Sequence, residues 1–250
     1  MTMQRNELMT WLQQELAVDM FKDYAPNGLQ LQGKAEIGHI TCAVTASLAA
    51  IEAAIENGSD LLLVHHGWFW KSEPTVITDW KFKRIQTAMQ AGLNIAGYHL
   101  PLDAHPVLGN NAQLGKVLGL ELLSQFGHQN LLAEGVLPEV QSLQELTNKI
   151  ENVLARTPTV IGNPAQSIKR VAWCTGGAQG YFQEAIDAGV DAYITGEISE
   201  SQYHLARETG VAFVSAGHHA TEKFGVQALA KYIETHHGIG FQFFDEQNPA

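Results

Sequence analysis

The stretch HITCAVTASLAAIEAAIENGSDLLLVHHG, residues 39–67, carries a complete strand, helix and strand. HITCAVT is an apolar, β-branched run, and SLAAIEAAIEN sets Leu48, Ile51 and Ile55 on one helical face. Gly58 stops that helix, and LLLVHH returns as a second apolar run. A helix of this length between two short apolar strands is the crossover that joins parallel neighbours in a sheet. The second strand ends in His65 and His66, followed by Gly67 and then Trp68, Phe69 and Trp70.

The same order comes back in VAWCTGGAQGYFQEAIDAGVDAYITGE, residues 171–197, where Asp191 matches Asp60 and Gly189 matches Gly58. His65 and His66 then fall opposite Gly196 and Glu197. GLNIAGYHLPLD likewise parallels GVAFVSAGHHATE, which sets His99 opposite His218. The pattern reads as an internal duplication. Before the first unit, Leu8, Trp11, Leu12 and Leu16 have the spacing of an amphipathic helix, and Pro26, Asn27 and Gly28 mark a turn. Between the units, Ser142 and Glu145 have the spacing of a capping box, ahead of a stripe of Leu143, Leu146, Ile150 and Leu154. The fold class expected is α/β: two domains with mostly parallel sheets flanked by helices.

At 250 residues, 45% hydrophobic and 16% charged, the chain can bury one large or two modest cores. A net charge of -11 argues against an electrostatic grip on nucleic acid, which needs clustered Lys and Arg. No run is long and apolar enough for a signal peptide or a membrane span, so a cytoplasmic protein without membrane attachment is expected. Cys42 and Cys174, each near the end of an apolar run, read as buried free thiols.

In parallel α/β sheets ligands gather beyond the carboxyl ends of the strands. Three such ends here, LLLVHHG, IAGYHLPLDAH and FVSAGHHATEK, finish in histidine, and two add a carboxylate within four residues. One histidine at a strand end is ordinarily structural; three such ends with Asp103 and Glu222 point to metal. His218 and Glu222, four apart at the start of a helix, project from one face, whereas His219 reads as a supporting or packing residue. Asp103 follows the strand-breaking Pro101 and offers two oxygens to neighbouring cations. His65 and His66 serve two adjacent ions if the strand turns as it ends. His99 and His105 are poised between ligand neighbourhood and structure. Imidazole and carboxylate without a cysteine pair suit iron, zinc or manganese in an open site. TGGAQG reads as a tight turn, and Trp68, Phe69 and Trp70 as core, subunit interface or a platform for a base, with Lys71 for a phosphate.

DYAPNGLQ (23–30), VHHGWFWK (64–71), YHLPLDAHPVLGNN (98–111), VAWCTGGAQ (171–179), DAYITGE (191–197), AGHHATEKFG (216–225) and the closing NPA resemble the YbgI-type proteins, the GTP cyclohydrolase 1 type 2 homologues. The resemblance runs from about residue 20 to the C-terminus. It implies two intertwined α/β domains, a toroidal homohexamer and a dinuclear metal site on His65, His66, Asp103, His218 and Glu222. Ligands from both ends of the chain then require a discontinuous first domain, residues 1–125 plus 218–250, around a second, 126–217. The reading that follows is a hydrolase using two divalent ions per subunit on a nucleotide or similar small molecule. Glu197 and His99 are its candidate proton-transfer groups. The alternative is a non-catalytic metal-binding, storage or delivery protein.

Overall fold

The computed structural model describes all 250 residues, Met1–Ala250. They divide into two compact units, Met1–Leu102 with Gly225–Gln247, and Asp103–Phe224 with Asn248–Ala250. Residues 103–125, expected with the first domain, pack with the second, and residues 225–247 return to the first. No helix is long and apolar enough to cross a membrane.

The first unit is built on a five-stranded sheet in the order Gly240–Phe244, His39–Thr45, Leu61–His66, Asn94–Gly97, Gly28–Leu31. The first four strands are parallel, as the crossover reading requires, and the last is antiparallel. Helices Leu48–Glu56 and Asp79–Gln90 cover one face, where Ala50, Ile51, Ala54, Ile85 and Ala88 close over Leu62, Val64 and Ile95. The inward face of the first of these helices is Ala50, Ile51 and Ala54, and Ile55 is left 37% exposed rather than buried beside Ile51. Ser47 caps this helix by accepting from Ala50 N. Alternation along the strands sends Ile40, Cys42, Leu61 and Leu63 to the opposite face. Helix Arg5–Glu15 buries Leu8 and Leu12, and its Trp11 stacks on Tyr232 of helix Lys223–His237, ring centroids 5.6 Å apart.

The second unit holds a six-stranded sheet, in order Glu121–Phe126, Leu132–Ser142, Ser167–Trp173, Ala192–Thr195, Ala212–Ser215, Thr159–Ile161. Only its central three strands are parallel to one another. The other three pairings are antiparallel, so this sheet is mixed rather than mostly parallel. The reason is local: Glu121–Phe126 and Leu132–Ser142 are joined by five residues, too few for a crossover helix. Helix Leu143–Leu154 begins with the expected capping box at Ser142 and Glu145, and buries Leu143, Leu146, Ile150 and Leu154.

One device occurs in both units. Asp60, just before strand Leu61–His66, accepts through Oδ2 from Gly38 N and His39 N. Asp191, just before strand Ala192–Thr195, accepts through Oδ2 from Lys169 N and Arg170 N. Each carboxylate clasps the neighbouring parallel strand, Asp60 at its start and Asp191 at its third and fourth residues. The ladders that follow also correspond: Asn94 N donates to Asp60 O and Tyr98 N to Val64 O, as Ala212 N does to Asp191 O and Ala216 N to Thr195 O. These bonds match Tyr98 with Ala216, so His99 lies opposite Gly217, one residue away from the pairing with His218 read from sequence.

Candidate metal centre

The carboxyl ends of the first unit's strands bring three imidazoles together. His65, His66 and His99 each place a ring nitrogen within 4.8 Å of the others. The His65 and His66 ring centroids are 4.5 Å apart although consecutive strand residues ordinarily face opposite ways. Both are the last residues of Leu61–His66: on one side the pairing ends with Val64 and Gly97, and only the other neighbour, through Thr45 opposite His66, continues alongside them.

Hydrogen bonds aim the rings. His65 is fully buried, and its Nδ1 donates to Tyr98 O at 2.9 Å. His99 Nδ1 meets Asp23 Oδ1 at 2.7 Å, and His66 Nδ1 lies 3.4 Å from Thr45 Oγ1. A carbonyl can only accept, and a carboxylate does so here, so His65 and His99 carry hydrogen on Nδ1 and direct Nε2 at a ligand. This is how metal-binding histidines are ordinarily oriented. Asp23 is itself fixed by Asn27 Nδ2, Tyr24 N and Leu100 N. Burial alone would raise its pKa, but the hydrogen bond and charge of His99, with Asn27 and Leu100, hold it well below the usual carboxylate range.

The second unit gathers carboxylates. Asp103 and Glu222 are 6% and 2% exposed, with carboxylate oxygens within 4.8 Å of each other. Asp103 Oδ1 accepts from Asn110 Nδ2 at 2.9 Å and Thr175 Oγ1 at 3.2 Å. His218 opens a short helix, His218–Thr221, which ends at Glu222. The four-residue spacing works as read: His218 Nε2 lies 3.3 Å from Glu222 Oε2. On the other side of the ring, His218 Nδ1 meets Glu197 Oε1 at 2.6 Å. Burial disfavours the imidazolium, yet the hydrogen bonds and charges of Glu222 and Glu197 push its pKa up to about 9.

These residues fit a divalent cation. Two buried carboxylates this close need positive charge between them, and a proton shared by His218 and Glu222 is what a cation would displace. Two donors at about 2.05 Å in tetrahedral geometry stand roughly 3.3–3.4 Å apart, which matches the His218–Glu222 separation of 3.3 Å. The loop at Gly176 forms a cradle with no room for a side chain: a Cβ there would stand 2.0 Å from Glu222 Oε1 and 3.1 Å from His218 Nε2. Both cysteines are free and buried, and burial, with the charges of Asp103 and Glu222, keeps the Cys174 thiol protonated well above its ordinary range.

Several other residues take definite places. His105 Nδ1 accepts from Val107 N and Leu108 N, capping a turn, and His219 is buried with its N–H donated to Ala250 O. Trp68 is core, with Nε1 donating to Ala46 O, while Trp70 sits edge-on to His99 at 4.9 Å. Sequence reasoning missed Asp23, Asn110, Thr175 and Gly176. Asp23 lies in DYAPNGLQ, where Pro26, Asn27 and Gly28 carry the turn signal.

A family model described as Duf34/NIF3 (NGG1p interacting factor 3) matches residues 3–249. A GTP cyclohydrolase 1 type 2 homolog of Neisseria meningitidis serogroup B is 58% identical over 244 residues, 98% of each chain. Another, of Yersinia pestis, is 45% identical over 249 residues, 99% of this chain and 100% of its own. Among solved structures, protein ybgI, described as of unknown function, matches with a TM-score of 0.96 at 43% identity over 99% of this chain and 100% of its own. A protein from Thermus thermophilus matches with a TM-score of 0.89 at 32% identity, over the same shares. With a family model spanning nearly its whole length and relatives this close end to end, the chain belongs to the Duf34/NIF3 family.

Proposed function

We propose that the protein is a dinuclear-metal-dependent hydrolase acting on a nucleotide or related small molecule, with two divalent cations per subunit on His65, His66, Asp103, His218 and Glu222. The observation that carries this reading is the aiming of the imidazoles: His65, His99 and His218 each commit Nδ1 to a protein oxygen. That arrangement is built to present Nε2, and it is more than packing requires. Asp103 follows His99 by four residues, which the chain's reach alone keeps within roughly 14 Å. The donor set suits iron, zinc or manganese. Such ions supply Lewis acidity and make water acidic enough to be a nucleophile at neutral pH. Glu197, its side chain 45% exposed and hydrogen-bonded to His218, both steadies that ring and is the candidate proton acceptor; His99 is the second candidate. The name shared by the relatives makes GTP the first substrate to try.

The test is metal content by elemental analysis on protein purified without chelator, beside His65→Ala and Glu222→Ala, followed by metal-dependent turnover of GTP and other nucleotides. About two ions per chain, lost in the variants, with turnover that follows metal, supports the reading. Metal without turnover favours storage or delivery, and a parent chain that refuses zinc, iron and manganese overturns both. We further infer that the chain assembles with copies of itself as a homohexamer. Val76, Ile77, Trp80, Phe82 and Met89 of the first unit are exposed, apolar side chains that a contact between copies would cover. Light scattering giving a monomer mass would remove that inference.

A further inference from the structure

Beside the imidazole cluster, within the first unit, lies a cavity of about 570 Å³ whose lining includes Asp19, Phe21, Tyr24, Asn27, Phe69 and Lys71. It shares a wall with the cluster. Asp23, whose carboxylate holds His99 Nδ1 at 2.7 Å, also lines the cavity.

The segment Trp68–Trp70 sends its three rings to three places. Trp68 is 2% exposed in the core, Trp70 lies against His66 and His99, and Phe69 is 37% exposed on the cavity. Phe69 has φ of 66°, a left-handed conformation that a bulky residue holds only where its surroundings over-determine it. They do so here: Trp68 N donates to Gln30 Oε1 at 2.6 Å, Trp68 Nε1 to Ala46 O at 2.9 Å, and Lys71 N to Tyr24 O at 2.8 Å. Anchors on both sides thus force a ring outward into the cavity. Tyr24, also on the lining, is 58% exposed. Lys71 Nζ donates to Asp23 O at 2.5 Å, which accounts for one of the three N–H donors an ammonium carries. Asp19 Oδ1 accepts from Gln13, and a carboxylate has a second oxygen for an N–H edge.

We propose that this cavity is a binding subsite for a purine nucleoside monophosphate, or the same portion of a larger nucleotide. The base stacks on Tyr24 and Phe69, its N–H edge meets Asp19, and Lys71 pairs with the phosphate. Aromatic platforms hold any base by its π-face, and an ammonium pairs with phosphate as a point charge. The inference deepens the hydrolase reading and rests on it for the substrate class, but binding is measurable without turnover.

Isothermal titration of GMP, guanosine and ribose 5-phosphate into the full chain, as purified and after chelator treatment, tests it with Tyr24→Ala, Phe69→Ala and Lys71→Ala. Stacking contributions of the usual size predict losses of about 5- to 150-fold per ring removed. GMP and guanosine weaken in Tyr24→Ala and Phe69→Ala while ribose 5-phosphate does not. In Lys71→Ala, GMP and ribose 5-phosphate weaken and guanosine does not. Should Phe69→Ala fold poorly, Phe69→Gly removes the ring and accepts the positive φ, and exposed Tyr24→Ala stands alone. Parent protein that does not bind GMP at millimolar concentration, or that binds it equally in all variants, overturns the subsite even when its metal is in place. Binding that depends on these residues but is never followed by turnover keeps the subsite and removes the hydrolase.

Discussion

Gly176→Ala gives the sharpest test of how the second unit's carboxylates are held. The backbone there has φ of +69°, where an L-residue pays about 1–2 kcal/mol. The new methyl would also stand 2.0 Å from Glu222 Oε1 and 3.0 Å from Glu222 Cδ. Glu222 is 2% exposed and has little room to swing aside, so an overpacking cost of about 1–3 kcal/mol is added. Together these predict a loss of about 2–5 kcal/mol in chemical denaturation, with bound metal lost as Glu222 is displaced. Gly180→Ala is the matched control: no atom lies within 4 Å of its Cβ position, its φ is not positive, and its effect should stay within about 0.5 kcal/mol. If Gly176→Ala unfolds at the parent's denaturant concentration and keeps the parent's metal content, the cradle does not exist as described.

Asp23→Asn, which sets an amide against the donors that now point at a carboxylate, should cost about 3 kcal/mol in denaturant titrations. Because Asp23's folded pKa is depressed, its contribution is complete above the ordinary carboxylate range and fades only as pH falls below about 4. The gap between parent and variant should therefore be constant from pH 7 to 5 and narrow in stronger acid; a gap that closes by pH 5 would contradict the assignment. Asp60→Asn should cost about 1–3 kcal/mol. Burial raises the Asp60 pKa, but Lys34 and the N–H groups of Gly38 and His39 lower it further, so its penalty too should shrink in acid, read by the same titration. Leu146→Ala, at a fully buried position of the second core, should cost about 2–5 kcal/mol by calorimetry or denaturant. Stripping metal with a chelator should lower the melting temperature, and adding back a hundredfold excess over the dissociation constant should restore about 2.7 kcal/mol; an unchanged melting temperature would mean that no ion was bound.

The strand, helix and strand of residues 39–67 were legible because their apolar runs are short and clean and Ser47 and Gly58 punctuate them. The stripe of helix Leu143–Leu154 was legible for the same reason. The antiparallel half of the second sheet was not: Leu132–Ser142 contains Gly135 and Pro138, residue types that weaken a strand pattern, although Pro138 has no partner in the pairing with Ser167–Trp173, whose register shifts between Ile168 and Arg170. At the site, ligand types at strand ends could be read from spacing because histidine is chemically distinctive. The residues that aim them could not. Asp23 reaches His99 across 76 positions and Thr175 reaches Asp103 across 72, and a lone Asp or Thr in a loop carries no signal of a partner so distant.

The two aspartate clasps make the chain length ahead of the site count as much as its residues. Asp60 fixes where one strand starts and His66 is its sixth residue onward, while Asp191 stands six before Glu197. At about 3.3 Å per residue the strand is a ruler of roughly 20 Å. One residue inserted between clasp and histidine would turn His65 and His66 to opposite faces with every core side chain behind them. Polar replacements in the loop at 71–78 leave that ruler untouched. Tolerance to insertion and deletion, mapped residue by residue, should therefore fall to zero between Asp60 and His66 and recover past Trp70.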